Sequence, residues 1–250
     1  MNLKNISPAS SKILELWLKH IGQLNAVQPN TIKAYRADLT QFLSFLTNYT
    51  GREACLRNLA SVDMTTMRAW ISSLKQSEKN AKTIARALSA QKNFYSWLLR
   101  SENIKNACVL NFSGPKIKKR LPRPISEKNA KTLIKTVGEK ATTDWLSARD
   151  VALLVLLYGC GLRISEALNL YCDVLPLPDV LKIQGKGNKQ RLVPILPITK
   201  TAINAYTQIC PYELNPGTYL FRGARGNKLN PKIIQKVVSK ARHRIGLPPT

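Results

Sequence analysis

Two short stretches hold residue types whose spacing suits phosphate chemistry. In Gly161-Leu162-Arg163-Ile164-Ser165-Glu166-Ala167-Leu168 an arginine follows a glycine turn at the opening of a short helix expected within Leu162–Leu170. Its planar fork would stand beside the positive helix end and could take two oxygens of one phosphate. An ion pair of Arg163 with Glu166, one turn on, is the competing reading. In Gly185-Lys186-Gly187-Asn188-Lys189-Gln190-Arg191-Leu192-Val193-Pro194 a lysine lies between two glycines at the tip of an expected hairpin. Backbone can approach a ligand closely there, and the ammonium could clamp a phosphate or give a proton to a departing oxygen. A lysine that is merely solvated is the alternative.

Other chemistries lack their residues. No G-x-x-x-x-G-K-[ST] phosphate loop occurs, and the two histidines, His20 and His243, stand at no ligand spacing from a thiol or carboxylate. The five cysteines, Cys55, Cys108, Cys160, Cys172 and Cys210, are scattered and never spaced C-x-x-C, which suits buried thiols in a reducing compartment. No metal and no cofactor is expected.

The charge balance names a class of partner. Lys and Arg number 39 against 14 Asp and Glu, a formal net charge of +25. An apolar content of 44% and a mean hydropathy of -0.18 belong to a folded chain, so the excess charge sits on folded surface. A polyanion is the expected partner, and nucleic acid leads because closely spaced phosphates reward a cationic face through counterion release. The longest uncharged apolar run, 151–162, falls well short of the roughly 20 residues a spanning helix needs. Lys4, Lys12, Glu15 and Lys19 interrupt any export signal, so a cytoplasmic protein without membrane contact is expected. An RNA-binding module is disfavoured, since neither RNP aromatics nor a G-X-X-G clamp is present.

The elements that must position these groups are mostly helical. The first hundred residues read as four helices: Ser11–Leu24; one capped by Asn30 or Thr31 with Ile32, Tyr35, Leu39, Phe42, Leu43 and Leu46 on its apolar face; Val62–Leu74 with Ser61 as N-cap; and one from Thr83 through Leu98. Residues 105–124 are rich in Pro, Gly, Lys and Arg and read as a basic interdomain linker. Beyond it come a helix from Ser126-Glu127 through Val137, a buried helix Ala148–Tyr158, strands Val180–Gln184 and Gln190–Leu196 around a five-residue loop, and helices Thr199–Ile209 and Pro231–Ile245. Pro194 marks an edge strand.

Taken together and in this order, the string Leu157-Tyr158-Gly159-Cys160-Gly161-Leu162-Arg163-Ile164-Ser165-Glu166-Ala167-Leu168 and the Gly-Lys-Gly-Asn-Lys-x-Arg-Leu-Val-Pro hairpin closely resemble the tyrosine recombinase (phage integrase) family, and its XerC type fits best. Thr31-Ile32-Lys33-Ala34-Tyr35-Arg36-Ala37-Asp38-Leu39, the linker Pro115–Pro124 and Leu220-Phe221-Arg222-Gly223-Ala224-Arg225-Gly226 extend the resemblance over nearly the whole chain. It implies a mainly α fold: a SAM-like, four-helix DNA-binding domain over 1–104, the basic linker over 105–124, and over 125–250 an incomplete catalytic domain, helical with a small antiparallel hairpin. The two domains would close like a clamp on duplex DNA. Arg163 would grip the scissile phosphate and Lys186 would protonate the leaving 5′ oxygen, while a tyrosine stores the bond energy as a 3′-phosphotyrosyl link without ATP or metal. The implied work is site-specific recombination of the chromosome-dimer-resolution type. The implied partners are double-stranded DNA, a XerD-like recombinase in a tetramer, and a septal DNA translocase.

The family pattern continues with His-x-x-Arg, a further His or Trp, and the nucleophilic Tyr, positions expected beyond Leu247-Pro248-Pro249-Thr250. His243 does not substitute, because three residues on lies Gly246, and none of Tyr35, Tyr49, Tyr95, Tyr158, Tyr171, Tyr206, Tyr212 and Tyr219 matches the nucleophile. The chain as given is therefore expected to be cleavage-inactive, either part of a recombinase or a DNA-binding remnant of one. An incomplete catalytic domain is also expected to bare apolar surface around Val151–Leu157 and Ile233–Val238. For DNA contact the expected residues are Lys33, Arg36, Arg86, Lys92, Lys116, Lys118, Lys119, Arg120, Lys189, Arg222, Arg225, Lys232 and Lys236.

Overall fold

The computed structural model describes residues 6–24, 27–51, 55–117, 124–139, 143–185 and 189–248. The chain divides into two compact units, 1–121 and 122–250. The first is all helical: α1 (Pro8–Leu24), α2 (Pro29–Thr50), α3 (Leu56–Ala60), α4 (Met64–Gln76), α5 (Ala81–Ser101) and α6 (Ala107–Asn111). Apolar positions at helical spacing on the four long helices meet in one core around Trp17, Phe42, Trp70 and Phe94. Trp17 stacks on Tyr35 at 5.9 Å, meets Phe94 edge-on at 5.4 Å, and donates its indole N–H to Asn93 Oδ1 at 3.1 Å.

Several details of this unit depart from the sequence reading. Helix α2 begins at Pro29 with Gln28 as its N-cap, so Asn30 and Thr31 lie inside its first turn instead of capping it, because proline supplies the first helical position without needing a donor; the short helix α3 adds to the four expected. The cap of α4 is Asp63 and not Ser61: the Asp63 carboxylate accepts the Thr66 N–H at 2.8 Å and the Thr66 hydroxyl at 2.7 Å. A carboxylate at the positive helix end, with two donors in reach, outcompetes a hydroxyl two residues earlier. Within the stretch read as linker, α6 packs Val109 into the first core. Asn106 fixes it there, donating to Val62 O at 2.8 Å and Ala60 O at 3.1 Å while its own side-chain oxygen caps Val109 N–H at 3.0 Å. Residues 118–123 of that stretch lie outside the described residues.

Among the described residues this core holds unpaired polar atoms on two side chains, the indole N–H of Trp70 and the amide of Gln91. Gln91, on α5, is fully buried, and neither end of its amide has a hydrogen-bond partner among the described residues. Burying an unpaired amide costs about 1–3 kcal/mol. Gln91→Met, similar in volume and unbranched, is expected to raise the Tm of this unit by several degrees. Thermal unfolding followed by circular dichroism checks it, and an unchanged or lower Tm contradicts it.

The second unit contains α7 (Glu127–Gly138), α8 (Asp144–Cys160), α9 (Ile164–Leu168), a 3-10 turn (Cys172–Val174), β1 (Val180–Gln184), β2 (Gln190–Pro194), α10 (Pro197–Ile209) and α11 (Pro231–Arg244). Ser126 caps α7 by accepting Asn129 N–H at 3.3 Å. Helix α8 buries Ala152 through Leu156 between α7 and α10, so most of the apolar run expected to lie bare is covered. An apolar groove of about 220 Å³ remains beside it, lined by Ile125, Ala130, Leu133, Ile134, Leu154, Leu157 and Tyr158. On α11, Ile234 is buried, Val237 and Val238 are half-buried, and Ile233 is exposed. Helix α8 runs two residues past its expected end, and Gly161 closes it at φ 62°, a left-handed conformation that glycine adopts without penalty.

Strands β1 and β2 pair antiparallel, with Leu181 opposite Val193 and Ile183 opposite Arg191. Directly opposed residues share a face, and Leu181, Ile183 and Val193 are buried. The pleat therefore sets Arg191 on the inward face, beside the core. Gly185 N–H donates to Lys189 O at 2.7 Å and closes the loop mouth.

Candidate functional site

The glycine that ends α8 delivers Arg163 to the N-cap of α9, and Glu166 stands three residues into that helix. Its side chain is only 5% exposed. Three groups satisfy its carboxylate: Arg163 N–H at 2.8 Å, Arg163 Nη1 at 2.8 Å, and both Nη atoms of Arg191, each at 2.8 Å. The fork of Arg191 beside it, joined by the Arg163 donors, pulls the Glu166 pKa down to about 2. Of the two arginines, Arg163 is 66% exposed and Arg191 37%. Arg163 thus pairs with Glu166, as the competing reading held, through one side-chain nitrogen only; its Nε and Nη2 bond no described residue, and the side chain is exposed. The cluster is two guanidinium ions on one carboxylate, a local excess of one positive charge suited to an anion.

Lys186 lies outside the described residues. What is described is the mouth of its loop. A Cβ at Gly185 would lie 3.4 Å from Arg191 Nη1 and 3.5 Å from Glu166 Oε1, so the hairpin enters its loop directly against the cluster that holds Arg163.

A depressed carboxylate pKa ties this cluster to acid stability. Glu166 contributes fully above its ordinary value of 4.5, and the contribution is lost as pH falls toward about 2. Glu166→Gln is expected to flatten stability against pH in that window. Denaturant unfolding at pH 5 and pH 3 measures it; an identical pH slope in both proteins contradicts it.

A buried cation, Arg149, organises the turn after α10. Arg149 on α8 donates Nε and Nη2 to Asp150 Oδ1 at 2.8 and 2.6 Å and Nη1 to Arg222 O at 2.8 Å, beneath the Trp145 ring. Burial pushes the Asp150 carboxyl up despite this partner. Arg222 turns inward as well: its two Nη atoms donate to Gly226 O at 3.0 Å and Glu213 O at 2.7 Å. Tyr212 latches the same turn by donating to Ala224 O at 2.7 Å.

The remaining expected contacts divide into exposed and engaged cations. Lys33, Lys116, Lys189, Arg225, Lys232 and Lys236 are exposed, and Lys92 is half-buried. Arg36 forms a bidentate pair with Glu15, and Arg86 a bidentate pair with Asp38 at 2.9 Å twice. Lys118, Lys119 and Arg120 lie outside the described residues. The first unit carries 19 Lys and Arg against 6 Asp and Glu and the second 20 against 8, so the cationic excess is common to both. The role of Arg191 was missed in the sequence. The signal was there: Arg191, Val193 and Ile195 alternate on the inward side of a strand, and a charge at such a position requires a buried partner.

Residues 14–102 match the family described as phage integrase, N-terminal SAM-like domain, and residues 123–250 match the phage integrase family. The chain is 39% identical over 238 residues to the tyrosine recombinase XerC of Mesorhizobium japonicum, covering 94% of this chain and 76% of that protein. It is 37% identical to that of Bradyrhizobium diazoefficiens, covering 99% and 79%. Among solved structures it resembles the XerH site-specific recombinase bound to palindromic difH substrate in a post-cleavage complex, with a TM-score of 0.68 at 19% identity over 98% of this chain and 70% of that one. A lambda integrase tetramer bound to a Holliday junction gives a TM-score of 0.67 at 14% identity, covering 97% and 68%. The fold is that of these proteins. The chain belongs to the phage integrase family of tyrosine recombinases, XerC type, the proteins of site-specific DNA recombination.

Proposed function

We propose that these 250 residues grip double-stranded DNA for site-specific recombination, presenting Arg163 to the scissile phosphate with Lys186 as donor to the leaving 5′ oxygen. The observation that carries this reading is the exposed side chain of Arg163, held by one nitrogen on buried Glu166 beside Gly185, the residue before Lys186. A preorganised, always-charged fork stabilises the equatorial oxygens of phosphoryl transfer without reorganising during reaction. The two units act as the two DNA-binding bodies, with the basic part of the stretch 105–124 that follows α6 between them. Lys33, Lys92, Lys116, Lys118, Lys119, Arg120, Lys189, Arg225, Lys232 and Lys236 serve the DNA backbone; Arg36 and Arg86 reach it from their ion pairs. Arg222 serves by shaping the turn that presents Arg225. A XerD-like recombinase in a tetramer and a septal DNA translocase complete the proposed assembly, for chromosome-dimer resolution in the cytoplasm.

None of the eight tyrosines in residues 1–250 is proposed as nucleophile. Tyr95 and Tyr206 are buried, and burial pushes both phenols up, away from the phenolate an attack requires. The 250-residue chain is thus expected to bind DNA and leave it uncut. A nicked suicide duplex carrying the recombination site reads this directly: bound DNA with no covalent adduct is the expected result, and an adduct that survives denaturation overturns it.

A further inference from the structure

Glu166 poses a problem for the arginine it braces. A carboxylate with two oxygens three residues from a guanidinium can take it bidentately, and an arginine held that way has little left for a phosphate. In this fold both Nη atoms of Arg191 bond the two oxygens of Glu166 at 2.8 Å, and Arg163 is left one side-chain bond, through Nη1. Arg191 comes from β2 and Glu166 from α9, 25 residues apart, and among the described side chains only Arg163 and Arg191 donate to Glu166. Arg191 stands on the strand face that packs inward, and its partner is buried, so the pair is fixed in geometry.

We infer that Arg191 is a positioning residue, the counter-ion that keeps Glu166 from capturing Arg163 and so leaves the Arg163 fork free to bind a phosphate. It touches no phosphate itself. Removing its charge takes the cluster from a net positive charge to neutrality and frees the two Glu166 oxygens to draw Arg163 inward. The inference rests on the phosphate-gripping reading of Arg163. It adds a consequence that a purely structural strut would lack: neutralising Glu166 restores what loss of Arg191 removes.

The experiment follows the Arg163 guanidinium by nitrogen-15 NMR, its Nε–H signal identified by disappearance in Arg163→Ala, during titration of the 250-residue chain with inorganic phosphate. In Arg191→Met the phosphate needed for half the shift is expected to rise about fivefold or more, and in Arg191→Met/Glu166→Gln to return within about twofold of the unaltered chain. Arg191→Lys, which keeps the charge and loses the bidentate fork, is expected to fall between; it carries the same test should Arg191→Met not fold. A titration of Arg191→Met and Arg191→Lys that matches the unaltered chain, or a double variant that stays weak while folded, overturns the inference and leaves the Arg163 reading standing. An Arg163 signal indifferent to phosphate in the unaltered chain overturns both.

Discussion

Raising salt from 50 to 200 mM is expected to weaken the hold of this chain on duplex DNA by about 10³- to 10⁵-fold, the fall that follows from counterion release at about 6–10 phosphates. Both units carry the cationic excess, and six of the proposed contacts, Lys33, Lys116, Lys189, Arg225, Lys232 and Lys236, are exposed. Arg36 and Arg86 are paired with carboxylates, so each must exchange a protein partner for a phosphate and adds less to the slope than an exposed lysine. Fluorescence anisotropy on a labelled duplex across this range gives the slope of log affinity against log salt. A slope near zero contradicts a surface built to displace counterions.

The second large effect is expected from Arg149. Its side chain is 3% exposed and that of Asp150 6%, with the pair closed by bonds of 2.8 and 2.6 Å. Arg149→Met leaves a buried carboxylate without its cation and the Arg222 carbonyl without its donor, a loss of about 3–5 kcal/mol. The turn at 222–226 loses its tie to α8 as well, so Arg225 is presented less firmly. Adding Asp150→Asn removes the stranded charge and is expected to recover part of the loss. Urea unfolding of the three proteins measures both effects; a loss under about 1 kcal/mol in Arg149→Met contradicts the buried-strut role.

The helices that form through their own periodicity were legible in the sequence. Ser126 and Glu127 announce α7, Pro231 opens α11, and the alternation around Gly185–Lys189 places both strands of the hairpin, although β2 ends at Pro194 and not at Leu196. What stayed hidden depends on contacts distant in sequence. The short helices α3 and α6 have no amphipathic stripe of their own; α6 exists because Asn106 and Val109 find partners in the first core. The site divides the same way. Arg163 and its pairing with Glu166 are local and could be read from spacing. The competition for Glu166 from Arg191, the pair Arg86 with Asp38, and the inward turn of Arg222 arise only when the fold brings distant residues together. Composition counts such arginines as free cations, and packing engages each with a partner inside the protein.

The Arg163 guanidinium and the Lys186 ammonium are expected to meet at one phosphate. A crystal structure of this chain on duplex DNA tests it most directly. Both groups are expected to donate to oxygens of the same phosphodiester at about 2.7–3.2 Å. Arg163 and Lys186 on different phosphates, or Lys186 turned to solvent with the DNA in place, would contradict the account.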